Sequence, residues 1–161
     1  MRRTVDVAVL TFAPNETSAV LVHMDRLGAR HEGWINLIPL VREEDEPDPP
    51  VAIGSLFSAS GPLIPVCTWA AGKDGRRGVE RDSLGVEHAT GTKLVARLAG
   101  LGLALPEGWR WEQDHPKRGL VVRPPLETAH EAQLDWVLEA GTALSRVPLT
   151  GQWEARVRPG H

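Results

Sequence analysis

Apolar residues recur in short runs along this chain and change their period half-way. Between Thr4 and Phe12, the positions Val5, Val7, Val9 and Leu10 favour an extended strand. A turn at Pro14–Ser18 and a second β-rich run from Ala19 to Met24 complete an expected antiparallel hairpin. Trp34 to Val41 predicts a third strand, with Pro39 confining it to an edge or a bulge because proline cannot donate to a ladder. Val51 to Ser58 suits a short helix or strand, Pro62 to Trp69 a further strand, and the glycine-rich stretch Lys73 to Arg81 a surface loop.

From Ser83 or Thr90 onward the period turns helical. Leu94, Val95, Leu98 and Leu101 sit at helix spacing, and Gly100 and Gly102 supply a stop. Trp109–Glu112 and Gly119–Arg123 predict a second hairpin around the turn Asp114–Arg118. Thr128 and Glu131 have capping-box spacing and open a helix carrying Leu134, Val137, Leu138 and Leu144, which must end before Pro148. Gln152–Val157 predicts a last strand. The sum is one α+β domain over residues 1–161, with a mostly antiparallel sheet containing two hairpins and two main helices in the C-terminal half.

Composition changes the picture in six places. Residues 42–50 hold five acids and three prolines, the pattern of a mobile connector. Net charge is −3 over 161 residues, which argues against an electrostatic nucleic-acid binder. No run approaches the roughly 18 apolar residues of a membrane span. The single cysteine, Cys67, excludes an intramolecular disulfide and suits a reducing cytoplasm. Fifteen arginines against three lysines point to a GC-rich bacterial genome rather than to phosphate ligands. Six tryptophans against two phenylalanines make Trp the main aromatic, for the core or for exposed anchors.

Candidate chemistry is scattered. Asp114 and His115, beside Lys117 and Arg118 and near Glu112, could hold an anionic ligand or exchange protons, or could simply form a polar hairpin tip. Trp109 and Trp111, two residues apart on a strand, could make an aromatic platform for a ligand or partner, or pack onto the Leu134–Leu144 helix. His23 and Asp25 on one strand face, with His31 following, would be a short and unspecific metal pattern. Cys67 with His88 or His115 as base and Asp82 or Asp114 as orienter would be a nucleophile, but an apolar run surrounds the thiol. Gly91-Thr92-Lys93, preceded by His88, opens a helix but lacks the full phosphate-loop pattern. The basic loop Lys73, Arg76, Arg77, Arg81 and the acidic connector could pair or stay solvated. Glu32-Gly33-Trp34 and Glu107-Gly108-Trp109 echo each other, as a duplicated unit or as a common entry into a strand.

None of these patterns is complete. The sequence therefore predicts a cytoplasmic accessory protein that binds a protein or a ligand without catalysis and without metal or cofactor. Its expected partner is another protein or a second copy, not nucleic acid or membrane. The alternative is a small-molecule enzyme with an acid/base site around Asp114 and His115.

Overall fold

The structure, a computed structural model, describes residues 7–47 and 61–160. Strand β1 spans Ala8–Phe12 and is followed by helix α1, Ser18–Arg30. The expected hairpin partner over Ala19–Met24 is therefore helical. Its valines suggested a strand, but the buried positions Val20, Met24 and Leu27 fall at i, i+4 and i+7, and that stripe continues past the short β-like window. The helix ends at His31, which is left-handed at φ 54°, with the amides of His31 and Glu32 bonded to the carbonyls of Gly28 and Leu27.

Strand β2, Trp34–Pro39, lies inside the sheet rather than at its edge. Proline is tolerated there because the ladder to the next strand stops at Leu37, two residues short of Pro39. A 3₁₀ turn at Glu43–Asp45 begins the acidic stretch; the rest of that connector beyond residue 47, and the run Val51–Ser58, lie outside the described residues. Strand β3 is Val66–Ala70. The expected loop at 73–81 contains a two-stranded ribbon, β4 (Asp74–Gly75) with β5 (Gly78–Val79). Strand β6, Ser83–Glu87, was hidden by Gly85 between the buried Leu84 and Val86. Helix α2 is Leu94–Gly100, the expected second hairpin is β7 (Arg110–His115) with β8 (Gly119–Arg123), helix α3 is His130–Leu144 and β9 is Trp153–Arg158.

The main sheet has the order β1-β9-β2-β3-β6-β8-β7, and every neighbouring pair is antiparallel. This is an α+β fold, with both expected helices in the C-terminal half and a third, α1, near the start. Alternation assigns the two faces. Ile35, Leu37, Cys67, Trp69, Leu84, Val86, Leu120, Val122, Ala155 and Val157 are buried beneath the helices in one core with Met24, Leu98, Leu134 and Val137. The opposite face carries Val9, Trp34, Asn36, Thr68, Gly85 and Arg156, all with some solvent contact. No helix among the described residues is long and apolar enough to cross a membrane.

The capping box does not form. Thr128 sits in a turn, its amide bonded to the Pro125 carbonyl, so the helix starts two residues later, with Ala129 at the N-cap and no side-chain cap. Thr128→Ala should accordingly change stability by less than about 0.5 kcal/mol in a urea titration, where a true cap would cost about 1.

Candidate functional site

At the end of the sheet where β3 and β8 finish and β6 begins, five side chains form one polar chain of hydrogen bonds joined by an ion-pair contact. Trp69, fully buried on β3, donates from Nε1 to Gln133 Oε1 at 2.9 Å. Gln133 is on the first turn of α3 and is also buried; its Nε2 donates to Asp82 Oδ2 at 3.2 Å and to the Thr128 carbonyl. Asp82, immediately before β6, accepts the Gly72 amide on its other oxygen at 2.7 Å. His130, the first residue of α3, places Nε2 3.4 Å from Asp82 Oδ2 and Nδ1 2.7 Å from Asp25 Oδ1 on α1. Trp69 meets the His130 ring edge-on, with centroids 5.4 Å apart. Gly28 lets the ring lie against α1: a Cβ there would fall 2.9 Å from His130 Cε1.

The electrostatics follow from burial. Asp82 raises the proton affinity of His130 most, ahead of Asp25, and the net result is a pKa above the ordinary histidine value although burial opposes it. Asp25 is nearer but 72% exposed, so water screens it; Asp82 is 19% exposed. Burial would raise Asp82, but hydrogen bonds from His130, the Gly72 amide and Gln133 outweigh it and hold the carboxyl below its usual range. In the imidazolium form both ring N–H groups point at carboxylates, which leaves neither nitrogen free as a base.

No known family, curated protein sequence or solved structure matches this chain.

His130 and Asp82 open onto a small cleft of about 170 Å³ that His31 and Glu80 also line. A wider depression of about 430 Å³ adjoins it, edged by Arg81, Glu112 and Arg123. Val79, Glu80 and Leu126 belong to both hollows, and Val79 and Leu126 are exposed by 43% and 62%. Arg123 bonds Glu112 at 2.7 Å and the Arg81 carbonyl at 2.9 Å. A separate hollow of about 490 Å³ between Pro14 and α3 has other lining, with Asp135, Glu139 and Thr142 as its polar side chains.

The residues singled out from sequence are placed differently. Asp114 does not face His115; its two carboxylate oxygens accept the amides of Leu94 and Val95 at 3.0 and 3.1 Å, capping α2 from a neighbouring strand. One observation thus accounts for two patterns, because a carboxylate of the protein itself fills the anion position after Gly91-Thr92-Lys93. Asp114→Ala should cost about 1–2 kcal/mol in a denaturant titration, and Asp114→Asn less. His115 Nδ1 accepts the amides of Lys117 and Arg118, fixing the hairpin tip. Trp109 precedes β7 and packs on Trp136 at 5.5 Å, whereas Trp111 stands opposite Val122 and is 58% exposed, so the pair forms no flat platform.

Cys67 is fully buried against the Val137 carbonyl, and burial pushes its thiol up to about 12, the opposite of a nucleophile. His88 is buried with Nδ1 bonded to Thr90, and burial lowers its proton affinity. His23 and Asp25 lie on a helix, not a strand, so two-residue spacing separates them; among the described residues no three His, Cys, Asp or Glu side chains are placed to hold a metal. Arg42 bonds Asp45, and the acidic turn and the basic ribbon follow opposite ends of the β2–β3 pair. Gly33 and Gly108 both have positive φ, but β2 is internal and β7 an edge, so the Gly-Trp echo marks two strand entries in unlike positions.

Proposed function

We propose that this protein works by binding a second polypeptide, not by catalysis, and that the surface around Val79 and Leu126 makes the contact. The observation that carries this reading is an exposed apolar pair standing between two hollows whose rims bear both signs of charge: Glu80, Asp82 and Glu112 against Arg81, Arg123 and His130. An apolar centre inside a polar rim is the usual anatomy of a protein interface. A partner segment would set a small apolar side chain between Val79 and Leu126 and meet the rim charges on either side. The commitment of the reactive groups supports the same reading. Asp114 is spent on helix amides, His115 on its own turn, Cys67 on a buried carbonyl and both nitrogens of His130 on carboxylates. Acid/base chemistry at Asp114 and His115, the competing reading, would first require breaking those bonds. A cytoplasmic location goes with this reading.

Val79→Glu with Leu126→Glu tests it. Both side chains are exposed, so the double variant should keep the wild-type melting temperature while losing the partner at least tenfold in affinity. Retained affinity in a folded variant would move the contact elsewhere.

A further inference from the structure

We propose that Asp25, His130 and Asp82 form a proton-controlled clasp between α1 and α3, closed while the His130 ring carries both protons and opened on the α1 side when it loses one. The inference goes beyond the binding reading and does not rest on it. Its basis is geometric. One imidazole bridges two carboxylates from different elements, at 2.7 Å to Asp25 and 3.4 Å to Asp82. The two ends of the bridge are unequal. Asp82 is fixed by the Gly72 amide and by Gln133, which Trp69 holds in turn. Asp25 has His130 as its one recorded partner among the described residues and is largely in water.

A neutral imidazole has one N–H, so one carboxylate must then face a lone pair. Asp82 cannot turn away without breaking two further bonds, whereas Asp25 can rotate into solvent. The proton therefore leaves from Nδ1, the Nε2 proton stays on the Asp82 side, and the side-chain tie to α1 is lost where the ring lies on Gly28. The ionisable groups around the ring are Asp25 and His31 from the α1 end, Glu80 from the ribbon and Asp82 before β6; Gln133 and Trp69 complete the surround without charge. Of these, Asp82 and then Asp25 favour the protonated ring.

The sign is set by the two shifts. His130 is raised, so its contribution is complete below about pH 6.5, the ordinary histidine value, and is lost as pH rises through the folded value. Asp82 is lowered, so its contribution is complete above its ordinary value near 3.8 and is lost as pH falls through the folded value. The clasp is thus tightest between these limits and opens on the alkaline side.

Amide hydrogen exchange at pH 6 and pH 9, corrected for intrinsic rates, tests this on the full chain. In the wild type, protection over the second half of α1 should fall several-fold more than over α2. In Asp25→Asn and His130→Gln, α1 should be loosened already at pH 6, with no further pH step. Equal behaviour of α1 and α2 in the wild type would overturn the clasp, and so would an unchanged pH step in Asp25→Asn. A titration of the His130 ring by NMR adds an independent readout: Asp25→Asn should lower its midpoint, and an unmoved midpoint would show that Asp25 does not hold the proton.

Discussion

Trp69→Ala will remove a large part of the stability of this protein, by about 3–5 kcal/mol for the lost aromatic volume. The residue is fully buried between its strand neighbours Ile35 and Leu84, which lie opposite it on β2 and β6. Its indole also ends the polar chain, so truncation leaves Gln133 Oε1 buried and unpaired, a further cost of about 1–3 kcal/mol. Domains of this size are stable by about 5–15 kcal/mol, so the variant should stand close to unfolding at room temperature. Trp69→Phe separates the two terms. It keeps most of the ring but not the N–H, and should lose roughly 1–3 kcal/mol in urea titrations. A phenylalanine variant as stable as wild type would show that the indole N–H contributes nothing to holding Gln133 and Asp82.

Gly141→Val should be the next most damaging change. Gly141 is buried on α3 where the helix crosses β3 and β9, and an added Cβ would lie 2.8 Å from both Cys67 Sγ and Trp153 Cη2. In an exposed helix, replacing glycine by a better helix former gains up to about 1 kcal/mol. Here both neighbours are rigid and buried, and overpacking of this kind costs about 1–3 kcal/mol for each step in size. The clash wins, and valine should be worse than alanine. Thermal melts of the two variants check the order; a Gly141→Ala protein melting above wild type would mean that α3 can lift from the sheet without penalty.

How much of this was legible in the sequence depends on whether the signal was local. The β7–β8 hairpin, the Leu134–Leu144 helix and the last strand were readable because turn residues and apolar spacing sit within one element. Helix α1 was misread because Val20 and Val22 favour strands locally, while the buried stripe Val20, Met24 and Leu27 shows its helical period only beyond that short window. Strand β6 was missed because its central residue is a glycine on the exposed face. The site is non-local throughout: Asp25 and His130 are separated by 105 positions and Gln133 and Asp82 by 51. A faint signal did exist in His130 and Gln133, which share one face of a helix start at i, i+3 spacing. Asp114 shows the reverse error, since a residue that looked reactive beside His115 is spent on capping a helix 20 positions away.

The most direct test of the binding account is native mass spectrometry of the untagged protein purified from its own host, run in parallel on the Val79→Glu, Leu126→Glu variant. The account predicts a second polypeptide held by the wild type and absent from the variant. A retained small molecule of tens to hundreds of daltons on both proteins, with no polypeptide on either, would contradict it and return the hollows beside His130 and Arg123 to a ligand-binding or catalytic role.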